Sequence, residues 1–198
     1  MHVLIDLDNV LLDSFSKNKN QTFFYWTQYL QRDLGIDPKT LPQLFTEDFC
    51  LEKSGKAHDY ISKYLVDNGY CISKDVFLNY WLEHDSNLND AVWEWIWNNH
   101  KLKEHTFYIA SNQSSIRMNY LLEKFPLWKE VFKNIFISCS LGVSKNNPLF
   151  FQKILLEIKA EPTDICLIDD DINNISVANR MNIKTILFSG VSSLPMIL

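Results

Sequence analysis

Asp6 and Asp8 stand two residues apart where the apolar segment Val3–Leu7 turns acidic. Residues two apart on a strand project to the same side, so both carboxylates are expected to leave its carboxyl end together. That end is where open parallel sheets bind ligands. Two ionised carboxylates side by side repel, which calls for a cation between them or a proton on one. A second acid group, Asp169, Asp170 and Asp171, closes the apolar run Ile165–Ile168 and is followed by Asn173 and Asn174. With oxygen ligands and no convergent His or Cys, the favoured ion is hard, and Mg²⁺ suits it. Asp171 reads as the cap of a helix starting near Asn174. Two further strand ends carry polar groups. Ser111 and Asn112 follow the run Thr106–Ala110, and Ser144 and Lys145 precede Pro148. Each pair lies just before a helix start, whose N–H groups favour an anion. Singly, Ser111 is the kind of residue found in turns and Lys145 the kind found on surfaces. Their occurrence in chain order with the acids points instead to one site for a cation and an anion.

These side chains need a frame. Apolar runs of about five residues recur at Val3–Leu7, Thr106–Ala110, Asn134–Ser138, Ile165–Ile168 and Lys184–Phe188, as buried strands do. Helical patterns separate the later ones, over Ser115–Phe125, Pro148–Lys159 and Asn174–Asn182. Strand and helix in alternation predict a parallel sheet covered on both faces. From Ser14 to Lys103 the alternation stops and helical spacing takes over. Phe23, Trp26, Leu30 and Leu34 recur before Gly35; Ala57, Ile61, Tyr64 and Leu65 before Gly69; Val76, Phe77, Tyr80 and Trp81 after Ser73; Trp93, Ile96 and Trp97 after Asn89. Most of the aromatic residues fall here, and the packing of a small bundle accounts for them better than a ligand box does.

The 198 residues carry a formal charge of -5, with no basic footprint for nucleic acid. No apolar run approaches the roughly 20 residues of a membrane span. The N-terminus lacks the pattern of a secretory signal. Cys50, Cys71, Cys139 and Cys166 are scattered, which speaks against a zinc site and for a reduced, cytoplasmic protein. Cys139 and Cys166 are expected as buried thiols in apolar strands. The apolar end, 194–198, is left open between packing on the core and meeting a partner; no protein partner is indicated.

Four segments together resemble the haloacid-dehalogenase-like hydrolase superfamily: VLIDLDNVLLDS, TFYIASNQ, GVSKNNPLFFQKIL and ICLIDDDINNISVANRMNIKTI. The resemblance implies an α/β fold with a Rossmann-like, doubly wound parallel sheet core, residues 1–13 and 104–198. An α-helical cap, residues 14–103, is inserted between the first and second motifs. It also implies roles: Asp6 as nucleophile, Asp8 as general acid and base, and Ser111, Asn112 and Lys145 binding phosphoryl oxygens. Mg²⁺ is held by Asp6, the backbone carbonyl of Asp8 and Asp170, with Asp169 orienting the water shell. Which of Asp169 and Asp170 touches the ion stays open. Asn174 supports the loop or Lys145. In the segment LEKSGKAHD, residues 51–59, Lys53 and Lys56 read equally as a substrate-selecting loop and as an exposed basic turn. His58 is not needed as a base, since Asp8 fills that role.

Asp8 decides within the family, because a halide leaves without a proton and an alcohol does not. The expected activity is therefore a Mg²⁺-dependent phosphatase acting on a small phosphorylated metabolite, a sugar phosphate or nucleotide, through an aspartyl-phosphate. A phosphomutase using the same residues, a non-catalytic binding module and a phospho-accepting signalling domain are the alternatives. The last lacks a helical insert of this size after its first strand.

Overall fold

The computed structural model describes residues 1–18, 21–51 and 56–195. In chain order its elements are strands β1 (His2–Ile5), β2 (Phe15–Asn18) and β3 (Gln21–Phe24), then helices α1 (Leu30–Leu34), α2 (Glu47–Cys50), α3 (Ala57–Asp67), α4 (Lys74–His84) and α5 (Asp90–Leu102). β4 (Thr106–Ser111), α6 (Ser115–Lys124), α7 (Trp128–Val131), β5 (Phe132–Ile137) and α8 (Ser138–Leu141) follow. The chain continues with α9 (Pro148–Ile158), β6 (Ile165–Asp169), α10 (Ile172–Arg180) and β7 (Lys184–Leu187).

Five strands form one parallel sheet in the order β5-β4-β1-β6-β7. β1 is central, and its neighbours β4 and β6 come from opposite halves of the later chain. The crevice at such a reversal of strand order is where sheets of this kind take ligands. The apolar runs are continuous because both faces of the sheet are covered. Val3, Ile5, Phe107, Ile109 and Ile168 pack on one side with Val92 and Ile96 of α5 and Met118 and Leu121 of α6. Leu4, Tyr108 and Leu167 face the other side, against Phe150, Phe151 and Ile154 of α9 and Ile175 and Ala178 of α10. The sheet is thus the Rossmann-like, doubly wound core that the motifs implied.

The insert has its own apolar cluster, with Trp26, Leu30, Phe49, Ile61, Phe77 and Trp81 at its centre. Three sequence features recur as local structure. Gly35 ends α1 in the left-handed conformation (φ 71°), which suits glycine. The Ser73 hydroxyl accepts from Val76 N–H and starts α4; the Asn89 carboxamide accepts from Val92 N–H and starts α5.

Three expectations change. Phe23 does not belong to a helix with Trp26 and Leu30: β2 and β3 form an antiparallel hairpin, with Phe15 paired to Phe24. Their rings meet edge to face at 5.6 Å. Helical spacing from Phe23 onward masked the pairing because a hairpin is stabilised across its two strands rather than along either. Second, Val92 and Ile96 of α5 bury against the sheet, not against the insert. α5 thus packs on the sheet although it falls within residues 14–103. Cys139 lies in α8 instead of a strand, and is buried there as expected; Cys166 is buried in β6. Leu194 packs into the sheet cluster, while residues 196–198 lie outside the described residues.

Two strands of connecting chain run side by side between core and insert. Asp13 N–H donates to the Asn87 carbonyl (2.9 Å), and Asn89 N–H to the Leu11 carbonyl (2.9 Å). They seat the insert over the residues that follow β1. Among the described residues no helix is long and apolar enough to cross a membrane.

Phe107 is fully buried between β4's neighbours and α5. Phe107→Ala should lower the free energy of unfolding by about 3–5 kcal/mol with an unchanged denaturant slope in urea titrations. A loss under about 1 kcal/mol would mean that the cluster relaxes around the cavity far more than a close-packed core does.

Candidate active site

β1 and β6 are in register, Ile5 beside Ile168, so the next residues, Asp6 and Asp169, leave adjacent strands side by side. Asp6 N–H continues the ladder to the Ile168 carbonyl at 3.0 Å. Both carboxylates are buried, and both accept from one ammonium: Lys145 Nζ lies 2.7 Å from Asp6 Oδ1 and 2.7 Å from Asp169 Oδ2. Asn112 Oδ1 accepts from Lys145 N–H at 2.9 Å and so fixes the loop that carries the lysine. Asp169 accepts further bonds from Asn174 Nδ2 (3.1 and 3.2 Å) and from Asp171 N–H (2.9 Å). The Asp171 carboxylate caps α10 by accepting from Asn173 N–H at 2.9 Å.

Two buried negative charges share one positive charge. Burial, with Asp169 beside it, pushes the Asp6 carboxyl up to about 8, against the pull of Lys145. The two carboxylates hold the Lys145 ammonium well above the usual lysine range despite its burial. Oxygens of Asp6, Asp169 and Asp170 all lie within 4.8 Å of one another. An all-carboxylate set that is short of positive charge fits a hard divalent cation.

The Asp8 carboxylate is not part of this cluster. β1 ends at Ile5, and the chain turns through Asn9 in the left-handed region (φ 60°), so strand alternation no longer aligns Asp8 with Asp6. Asparagine tolerates that conformation, and its side chain uses it: Asn9 Oδ1 accepts from Phe15 N–H at 2.9 Å, and Nδ2 reaches Asp170 Oδ2 at 3.4 Å. Asp8 points instead toward α6. Arg117 lies 2.8 Å from Asp8 Oδ1 and donates to Oδ2 at 3.0 Å. The Ser14 hydroxyl donates to Oδ1 at 2.6 Å, and Gln113 Nε2 to Oδ2. On its other side Arg117 Nη2 meets Asp85 Oδ2 at 3.2 Å and the Asp85 carbonyl at 2.8 Å. Trp81 Nε1 donates to Asp85 Oδ2 at 2.9 Å. The Asp8 carboxylate faces a cavity of about 190 Å³ under the insert.

Sequence reasoning missed Arg117, Asp85, Gln113 and Ser14. A signal for Arg117 was present, since it sits on the apolar side of α6 beside Met118 and Leu121. Asp85 follows the end of α4 with nothing local to mark it. Of the other expected residues, Ser111 is buried at the end of β4, next to the β1 terminus. Lys56 is exposed at the start of α3, His58 lies on α3, and Lys53 lies outside the described residues.

A five-stranded parallel sheet in the order β5-β4-β1-β6-β7, with acids after β1 and β6 and a lysine from the loop before α9 joining them, defines an α/β fold with a charged site at the carboxyl edge of its sheet. The chain belongs to the haloacid dehalogenase-like hydrolases, whose family model matches residues 1–182. Among solved structures it resembles a HAD family enzyme from Bacteroides thetaiotaomicron, in complex with magnesium and inorganic phosphate. The TM-score is 0.74 at 18% identity, covering 93% of this chain and 91% of that one. It also resembles L-2-haloacid dehalogenase from Xanthobacter autotrophicus with covalently bound chloropropionic acid, with a TM-score of 0.64 at 9% identity over 93% and 75% of the two chains. In sequence it is 26% identical over 158 residues to drimenol cyclase from Aspergillus calidoustus, 77% of this chain and 30% of that protein. The chain thus spans under a third of that relative's length.

Burial pushes Asp85 up to about 7, against the pull of Arg117 and the Trp81 N–H and with Asp8 nearby. A carboxyl raised on folding binds more protons in the native than in the unfolded state. Its contribution is therefore fully present below about pH 4 and lost as pH rises to about 7. In urea unfolding from pH 4 to 8, the stability of the wild type relative to Asp85→Asn should fall across that window. A difference that is flat or rises with pH would show Asp85 to be ionised throughout.

Proposed function

We propose that the protein is a Mg²⁺-dependent phosphatase of small phosphate monoesters, with Asp6 as nucleophile. The observation that carries the reading is Asp8: a carboxylate two residues from Asp6, facing a cavity large enough for a leaving group. A dehalogenase has no use for an acid there, since halide departs unprotonated. An alkoxide leaving group needs a proton.

Asp6 Oδ attacks phosphorus, and the bond from phosphorus to the ester oxygen breaks. Asp8, which takes up a proton from solvent as the ester binds, gives it to that oxygen and releases the alcohol. Water then attacks the aspartyl-phosphate while Asp8 takes a proton from it, and the bond from phosphorus to Asp6 breaks to free phosphate. Ser111, Asn112 and Lys145 bind the other phosphoryl oxygens, and Asn174 keeps Asp169 and Lys145 in place. A carboxylate about 3 Å from a phosphate oxygen meets roughly 5 kcal/mol of repulsion at an effective dielectric near 20. Asp6, Asp170 and the Asp8 carbonyl would hold Mg²⁺, with Asp169 orienting its water shell, and the ion would supply positive charge to offset that repulsion. Three observations support this set: the carboxylate oxygens within 4.8 Å, the excess of buried negative charge, and the magnesium and phosphate bound to the Bacteroides enzyme. The free thiols of Cys50, Cys71 and Cys166 accord with a cytoplasmic setting.

Hydrolysis of 4-nitrophenyl phosphate should require Mg²⁺, stop with chelator and fall to background in Asp6→Asn. Asp8→Asn should lose about 10²–10⁴ in rate on an alkyl phosphate. It should lose less on the nitrophenyl ester, whose leaving group departs without a proton. Mg²⁺ should also raise the melting temperature of the wild type but not of Asp170→Ala. Turnover that survives in Asp6→Asn, or that ignores the metal, would refute the reading.

A further inference from the structure

We infer that the substrate is a phosphate monoester of a compact hydrocarbon alcohol, carrying an aromatic ring or a branched chain of about five to eight carbons, rather than a sugar phosphate or nucleotide. The inference rests on the hydrolytic reading above and narrows it. A group that protonates a leaving oxygen must lie within hydrogen-bond reach of it. The organic part of the substrate therefore occupies the space that Asp8 faces, which is the cavity between the first motif and the insert.

The wall opposite Asp8 is made of Phe15, Phe24, Trp26, Phe45, Phe49 and Trp81. Most of the polar groups on the near side are engaged, and Ser114 Oγ, Asp85 Oδ1 and Arg117 Nε are buried there without a partner among the described residues. Ser14, Gln113 and Arg117 donate to Asp8, while Arg117 and Trp81 donate to Asp85. Asn112 Oδ1 holds the backbone of Lys145. A sugar ring would set most of its hydroxyls against the six aromatic rings, with only these few atoms on the near side to meet them, leaving buried polar groups without partners. A hydrocarbon meets no such cost.

Ring geometry argues against a nucleobase. Phe45 and Trp81 meet at 5.0 Å and 59°, Trp26 and Phe45 at 6.0 Å and 84°, and Phe49 and Trp81 at 5.9 Å and 55°. Rings tilted against one another form a rounded bowl, not the parallel-walled slot that sandwiches a planar base. Size agrees with this. The cavity of about 190 Å³ is slightly larger than an apolar cavity of about 150 Å³ that takes up benzene. One ring or a short branched chain fills it.

The test compares kcat/KM of the Mg²⁺-loaded protein for benzyl and 3-methylbutyl phosphates with that for glucose 6-phosphate, glycerol 1-phosphate and adenosine monophosphate. All have unactivated alcohol leaving groups, so leaving-group acidity does not set the order. The hydrocarbon esters should be favoured by about tenfold or more, since even one methylene in an apolar pocket is worth about that much. Phe45→Gln should shrink the ratio, and Phe45→Leu does the same in milder form should the first variant fail to fold. Mg²⁺- and Asp6-dependent turnover with equal or greater preference for glucose 6-phosphate or adenosine monophosphate would overturn the inference and leave the phosphatase reading intact. Turnover that persists in Asp6→Asn would overturn the phosphatase reading, and this inference falls with it. Should no ester be hydrolysed, calorimetric binding decides. Benzylphosphonate held about tenfold more tightly than methylphosphonate supports the pocket, whereas equal or absent binding refutes it.

Discussion

One ammonium group shared by two buried carboxylates sets the arrangement at the carboxyl edge of the sheet. The register of β1 against β6 brings Asp6 and Asp169 together, and without a counter-charge their repulsion in a buried setting would oppose the pairing of the two central strands. Lys145 resolves this at 2.7 Å from each, but leaves the trio with a net negative charge. Burial first, and the Asp169 charge second, drive the Asp6 carboxyl up to about 8, and the shortage of positive charge gives a divalent cation beside Asp170 its electrostatic advantage. The surrounding polar groups follow from the same constraint. Asn112 holds the backbone of Lys145, and Asn174 and Asp171 N–H satisfy the oxygens of Asp169 that the lysine does not reach. A buried ion set tolerates no missing partner, because a single deletion leaves an uncompensated charge.

A second buried cation does for Asp8 what Lys145 does for Asp6. Arg117 turns the two acids of the first motif in different directions, one toward the sheet edge and one toward the insert. It also reaches Asp85, on the chain returning from the insert. The insert is thereby tied to the acid by an ion set as well as by the paired connections at Leu11–Asp13 and Asn87–Asn89. The division matches the chemistry proposed: charge is concentrated around the nucleophile, while the acid borders an apolar space.

The parts of this molecule that were legible in the sequence are those encoded locally. Continuous apolar runs marked the five sheet strands, because burial on both faces suppresses alternation. Ser73, Asn89 and Asp171 marked helix starts, and Gly35 a helix end. The candidate residues Asp6, Ser111 and Asp169–Asp170 were legible because they stand at strand ends, and Lys145 because it stands just before the Pro148 start of α9. What stayed hidden depends on contacts between distant segments. The hairpin of β2 and β3 lives in cross-strand pairs. The amphipathic pattern of α5 says that it buries a face, but not that the face lies against the sheet. Asp8 was expected beside Asp6 because strand alternation was carried two residues too far, past the point where β1 gives way to a turn. Asp85 is polar, follows a helix end and sits 32 residues from its cationic partner Arg117.

The bonds around Asp8 place a condition on the proposed proton transfer. A carboxylate offers about four lone-pair sites. Here Oδ1 accepts from Ser14, and Oδ2 from Gln113 and Arg117, with the same Arg117 Nη1 2.8 Å from Oδ1, so about one site is left toward the cavity. A leaving oxygen approaches Asp8 at that site, or more closely by displacing one of these donors. Arg117 is anchored on its far side by Asp85, so the donors that can yield are Ser14 and Gln113. Ser14 immediately precedes the hairpin whose Phe15 and Phe24 line the cavity, and Gln113 immediately follows Asn112, which holds the Lys145 loop. The proposed acid is thus held by one donor next to the hairpin that borders the cavity and by another next to the residue that fixes the Lys145 loop, so both halves of the site meet at Asp8.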